Sequence, residues 1–447
     1  MSNFDQDTDP AHPVLVLASN QGGYDARSLV NTSLNGWEPR LGLAWHVLPN
    51  TVIRAGFGIF RTYFEPFGDA QFLIGNPPFA YTITLASSKT VPPFMLSVGA
   101  PAGLLSINNA AGGLQFSSYE RNPHRAYAPQ WNFNIQQQFA GNWLFEVGYS
   151  GERGIHLLNR IDGNFSPPGP GNLNAKRIFQ SAVIPGTSIV ASPLGPVYRH
   201  LFNGNSNYHA LVSKVEKRTS SGLNLLASFT WSKTLGDTCA DSADASSPNC
   251  GFQNALNLRG EKGLDNQDTR LRFVTSLIYE IPFGRGRQWG SGLNRALDAV
   301  AGGWSTGGIF TARTGLPYTL AVSGNNANTG SVTVINRPNV VGDPFAGTRT
   351  LTANFNTAAF APNGQYQYGS VGRNTMSARS QKNLDFIATK SFHLTERFKL
   401  DVRFEAFNAS NTAPFGAPNA VLGTNGFGSI TGAGAPRNLQ FGLKLFF

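Results

Sequence analysis

Near the C-terminus the stretch "FKLDVRFEAFN" alternates strictly: Phe398, Leu400, Val402, Phe404 and Ala406 fall on one side, Lys399, Asp401, Arg403 and Glu405 on the other. A period of two puts successive side chains on opposite faces of a β-strand. Just upstream, "NLDFIATKSF" repeats the arrangement with Leu384, Phe386, Ala388 and Phe392 on the apolar side, and "HLTE" joins the two. That pairing predicts a hairpin. The same grammar recurs in "WNFNIQQQF" and "WLFEVGYSGERGIHLL" around "AGN", and in "RLGLAWHVL" and "TVIRAGFGIFRT" around Pro49-Asn50. A further pair is "NYHALVSKVEKR" and "LNLLASFTWSKT" around "TSSG", where Leu211 and Val215 blur the alternation. "TRLRFVTSLIYEI" and "WSTGGIFTARTGLPYTL" make a fifth pair across the longer "PFGRGRQWGSGLNRALDAVAGG", and "LQFGLKLFF" is a single closing strand.

The count is about eleven strands, most of them roughly 9 to 13 residues long, against the 5 to 6 usual in soluble sheets. Strands of that length cross a bilayer at a tilt. Connections within pairs are a few residues, whereas Gly/Pro/Asn/Ser-rich segments at approximately 63–129, 160–206, 235–269, 323–380 and 410–437 separate the pairs. Soluble domains rarely carry several long loops. Outer-membrane barrels do, with short periplasmic turns, long extracellular loops, an apolar face for lipid and a polar face for the lumen. If the last strand descends to the periplasm, every short turn falls on the periplasmic side. Trp131, Trp143, Tyr149, Trp231, Tyr279 and Trp304 lie near strand ends, where aromatic girdles meet headgroups. The fold class is therefore all-β, an antiparallel transmembrane β-barrel.

Composition sharpens this. Among 447 residues, 50 are Gly, 33 are Phe and only 13% are charged, poor material for helices and rich in turn formers and aromatics. No run approaches the roughly 20 apolar residues of a membrane helix. The start, "MSNFDQDTDPAHP", has neither a basic nor an apolar region of a secretory signal, so the chain is either cytoplasmic or the remainder of a longer one. The net charge of +10 is scattered singly without a basic stripe, so nucleic acid is not an expected partner.

The last eight residues place Gln440, Gly442, Leu445 and Phe447 in a polar-x-Gly-x-x-apolar-x-aromatic pattern. This resembles the C-terminal β-signal read by the barrel-assembly machinery. "GLNLLASFTWSKTL", "DTRLRFVTSLIYEIPFGRGRQW" and "GGWSTGGIFTARTGLPYTL" resemble the barrels of TonB-dependent receptors, specifically the Oar-like branch, and the likeness covers roughly residues 36–447. The resemblance implies a barrel of about 22 strands around an N-terminal plug, loops that capture an extracellular ligand, and uptake energised by the TonB complex. Neither plug nor TonB box is visible. About half a barrel is expected, with residues 1–37 the remnant of an extracellular loop and 38–447 the C-terminal part of the barrel. Its partners would be outer-membrane lipid and lipopolysaccharide, the assembly machinery, TonB through the missing plug, and an unidentified ligand. A surface structural or adhesion barrel is the alternative, and a secreted all-β binding module a more distant one.

No catalytic residue, cofactor or firm metal site is expected. "GWSTG" matches a nucleophile elbow literally, but Ser305 opens a strand instead of joining strand to helix. "GRGRQWG" lacks phosphate-loop spacing and reads as a periplasmic turn. The seven histidines have no zinc-site spacing. Asp237, Asp241 and Asp244 are a weak calcium candidate, since an oxygen-rich loop holds calcium but EF-hand spacing is absent. Cys239 and Cys250 share that polar loop and suggest a disulfide in an oxidising compartment, the alternative being two unrelated free thiols.

Overall fold

A computed structural model of the chain describes residues 2–5, 14–18, 25, 27, 29–31, 36–61, 73–80, 97, 99, 114–184, 188, 190–218, 222–238, 252–254, 257–329, 335–395 and 397–447. Eleven strands form one antiparallel meander in which each pairs with its neighbour in sequence. They are β1 (Arg40–Leu48), β2 (Thr51–Arg61), β3 (Tyr127–Phe139), β4 (Trp143–Asp162), β5 (Leu194–Lys217), β6 (Leu223–Gly236), β7 (Leu271–Glu280), β8 (Trp304–Arg313), β9 (Gln381–His393), β10 (Lys399–Phe407) and β11 (Asn438–Phe446). Among the described residues the sheet is not closed: β1 and β11 each pair on one side only.

Register explains the alternation. Cross-strand partners share a face, so the pairs Phe57↔Trp131, Phe133↔Tyr149, Tyr149↔Leu211, Leu211↔Trp231 and Phe229↔Phe273 carry one apolar face from β2 to β7. Phe386, Phe404 and Phe441 continue it, with ring centroids 6.4 and 5.2 Å apart. Leu211 and Val215, which obscured the pattern in sequence, lie on this same face. On β11, Phe441 and Leu443 are 76% and 75% exposed, so this face has no partner there among the described residues.

The strands stop unevenly. At the short-turn end they finish level, whereas β4 and β5 run 20 and 24 residues and overhang the opposite end. The segment Leu114–Tyr119 adds parallel to the β5 overhang, and Ser2–Asp5, Val14–Leu17, Ala182–Val183 and Val190–Ala191 form a small sheet beside it. Phe4, Phe116, Phe179, Ile184 and Leu194 close a hydrophobic core there. Buried Asn76 ties the layer together by donating to the Ser2 and Ser117 carbonyls, each at 2.8 Å.

Sequence pattern carried β8 through Leu320, but the strand ends at Arg313. Gly315 passes so close to the Ala378 carbonyl that a Cβ there would collide with it, and Pro317 offers no ladder N–H. Pro317–Tyr318 instead pairs with Met376–Ser377, and Ala321–Val322 pairs in parallel with Val421–Leu422. The loops after β8 and β10 thereby share a second core of Tyr318, Leu320, Phe355, Phe360 and Met376, with Phe427 packed on its edge. Long segments that read as irregular thus carry folded layers.

Candidate functional site

The apolar face is bounded by aromatic side chains. Trp143, Tyr279 and Trp304 stand at the short-turn end, with Lys217 Nζ 4.8 Å from the Trp143 ring centre. Tyr149, Trp131 and Trp231 mark the other edge, where the Tyr149 hydroxyl meets His209 Nδ1 at 2.6 Å. From Leu223, which pairs with Tyr279, to Trp231 the strand covers about 27 Å at roughly 3.4 Å per residue. Tilted by about 40°, that spans about 21 Å along the barrel axis, most of the roughly 25 Å apolar band of a bilayer-crossing barrel.

The opposite face is polar and internally paired. Glu216 accepts from Arg218 at 2.6 Å and lies 3.0 Å from Lys214. Asp401 accepts from Ser391 at 2.6 Å, Gln130 donates to Glu152 at 2.9 Å, and Arg313 donates to Gln381 at 2.6 Å. Toward the short-turn end of this polar wall, Leu226, Ile278, Ile309 and Ile387 line a concavity of about 500 Å³ edged by Glu216, Asp385 and Glu405. Leu226, Ile278 and Ile309 are 40%, 55% and 50% exposed. The sequence signal was available: apolar pairs at Leu225-Leu226, Leu277-Ile278, Ile309-Phe310 and Phe386-Ile387 break the alternation on adjacent rungs of four consecutive strands.

A family model described as an outer membrane beta barrel domain matches residues 1–440. The chain belongs to that family. Its site is the outer membrane, and the apolar face described above is its lipid face. Among solved structures it is similar to the outer membrane transporter YddB from Escherichia coli, at 9% identity and a TM-score of 0.45, covering 92% of this chain and 40% of that one. It is also similar to the ferripyoverdine receptor of the outer membrane of Pseudomonas aeruginosa, at 10% identity and a TM-score of 0.39, covering 92% and 32%. The FrpB iron transporter from Neisseria meningitidis (F3-3 variant) matches at 10% identity and a TM-score of 0.38, covering 92% and 39%. The chain thus spans well under half the length of each. Comparison with curated proteins gave no match.

In this outer-membrane barrel domain the residues singled out from sequence separate. Leu445 and Phe447 lie on the lipid face, 51% and 83% exposed, while Gln440 and Gly442 pair with Glu405 and Arg403 on the polar face. The Asp237 carboxylate accepts from the Asn205 backbone N–H at 2.5 Å, which fixes the start of the β5 overhang. Asp241, Asp244, Cys239 and Cys250 lie outside the described residues. No group of three metal-ligating side chains occurs among the described residues. Ser305 sits at the foot of β8 with strand continuing behind it, as its context implied.

Two groups escaped the sequence reading. His200, in the overhang beyond the bilayer, is fully buried and stacks on Tyr119 at 4.3 Å. Burial pushes its imidazole down to about 3, with the Arg160 charge adding to the effect. Lys390 shares the lipid face with Ala388 and Phe392, yet it is only 4% exposed. Its Nζ donates to the Gly302 carbonyl and lies 5.7 and 5.0 Å from the Trp304 and Phe392 ring centres.

Proposed function

We propose that this chain forms the C-terminal part of the barrel of a TonB-dependent receptor that captures an extracellular ligand and imports it across the outer membrane. Residues 1–37 belong to the outer loop layer, and 38–447 supply eleven of about 22 strands. The lumenal patch of Leu226, Ile278, Ile309 and Ile387 carries the reading. A water-filled channel has a polar interior, whereas partly exposed aliphatic side chains on adjacent rungs call for a solid occupant. Covering the exposed remainder of each contributes about 1 kcal/mol. A plug encoded in the same polypeptide is the occupant that a TonB-coupled receptor requires, and the three barrel stretches quoted above support that family branch. The folded loop layers supply the ligand-facing rim, and Gln440, Gly442, Leu445 and Phe447 supply the assembly signal.

The test is a photo-crosslinking residue at Ile278 in the protein as made in its own outer membrane. The expected product is an internal cross-link to a segment N-terminal to the barrel. Irradiated protein with no internal product, or one linked only to lipid, refutes the plugged-receptor reading.

A further inference from the structure

The connection between β7 and β8 is unlike the other short-turn connections. It runs from 281 to 303 and contains a helix, α1 (Arg295–Ala301). Two contacts show on which side of the wall it lies. Trp304 belongs to the lipid face, and its indole N–H donates to the Val300 carbonyl at 2.9 Å. Lys390, also on the lipid face, donates to the Gly302 carbonyl. The end of α1 is therefore pinned outside the wall, below the aromatic girdle, at the level of the periplasmic leaflet's headgroups.

Its surface matches that place. Leu297 and Val300, three residues apart and so on one helix face, are 54% and 72% exposed, and Trp289 is 54% exposed. Arg285, Arg287 and Arg295 are all exposed. They line, with Lys390 from the lipid face and Glu280 and Lys399 from the polar face, a concavity of about 630 Å³ under the strand ends. The acidic groups there are engaged: Asp298 accepts from the Arg285 backbone N–H at 2.7 Å, and Glu280 lies 3.8 Å from Arg287. Within 281–303, three arginines face one aspartate, leaving a surplus of positive charge. Seven residues are too few for a helix to persist on propensity alone. The Asn294 cap on the Leu297 N–H, at 2.8 Å, provides one support; an apolar layer under Leu297 and Val300 would provide the other.

We propose that residues 281–303 are a membrane-surface anchor that binds anionic phospholipid headgroups of the periplasmic leaflet. Trp289, Leu297 and Val300 enter the headgroup–acyl boundary, and Arg285, Arg287 and Arg295 hold phosphates through their planar donors. The occupant follows from charge complementarity and from continuity with the lipid face at Trp304 and Lys390.

The experiment uses protein purified from outer membranes and placed in nanodiscs of phosphatidylcholine with or without phosphatidylglycerol, with amide hydrogen exchange read across 294–302. Phosphatidylglycerol is expected to slow exchange there roughly tenfold or more, given the attraction of each basic residue to an anionic surface. Arg285→Gln with Arg287→Gln and Arg295→Gln removes that dependence. Leu297→Ser with Val300→Ser removes the protection in both discs, while β8 exchange reports that the wall stays intact. Equal exchange with and without phosphatidylglycerol, or full protection in lipid-free detergent, overturns the proposal.

Discussion

Acidification should loosen the outer layer before it affects the barrel wall, and His200 is the group that makes this happen. The ring is fully buried, pairs in register with Tyr119 of the added strand and with Arg160 of β4, and stacks on the tyrosine. Its pKa falls from the ordinary 6.5 to about 3, first through burial and then through Arg160. Because the folded value is the lower one, the unfolded layer binds the extra proton. The contribution is complete above the unfolded value of about 6.5 and is lost as pH falls toward about 3. At about pH 5 the gap from 6.5 is roughly 1.5 units, or about 2 kcal/mol at roughly 1.4 kcal/mol per unit. Local opening of 114–119 and 194–200 should then rise roughly 30-fold between about pH 7.5 and about pH 5, after correction for intrinsic exchange. Amide exchange on purified protein measures it directly. His200→Phe keeps a stacking ring without a titrating group and should flatten the response. An unchanged opening constant in the native protein, or an identical pH response in His200→Phe, refutes the assignment.

The terminus and a buried ion pair between loop segments, Glu261 with Arg337, give two further predictions. Deleting Phe447 should reduce the heat-modifiable folded band in isolated outer membranes far more than Phe441→Ala, although Phe441 is the one in ring contact with Phe404; equal, mild losses would mean that the terminus contributes packing alone. Glu261→Gln should destabilise the outer loops by about 3 kcal/mol, because Arg337 is left as a buried charge without its carboxylate. Limited proteolysis within the loops at unchanged barrel banding reads this out, and an unaltered cleavage rate would show that the pair contributes nothing.

The strands were legible because a barrel wall is the simplest patterned object a sequence can encode. One face meets lipid and one meets polar groups along every strand, so alternation survives without knowledge of any partner. Starts such as Arg40, Trp143, Leu223 and Trp304 coincide with pattern changes. The overhangs of β4 and β5 did not announce themselves, because beyond the bilayer both faces pack: Ile161, Leu201 and Phe202 are buried beside Asn159, Asp162 and His200, and period two disappears. Loop cores were hidden for a related reason. Tyr318, Phe355 and Met376 meet only through three-dimensional proximity, and their flanks are rich in Gly, Asn and Ser. Lys390 was passed over on an otherwise apolar face because the carbonyl that receives it belongs to a turn almost ninety residues away in sequence.

On the receptor reading proposed above, the loops that share the Tyr318 core also bear on how the rim would meet a ligand. Phe355 touches Phe360 and Phe427 at 5.7 and 5.2 Å, and the strands after β8 and β10 are knitted by main-chain pairs. A floppy rim would surrender roughly 1 to 2 kcal/mol of freedom for every residue it fixed around a guest. Here most of that ordering is complete when the domain folds. The rim should behave as a rigid mould, with selectivity set by fit and a small heat-capacity change confined to the contact itself. A change in what it recognises would then come from exposed tips such as Phe345 and Tyr366, while the aromatic core beneath stays as it is.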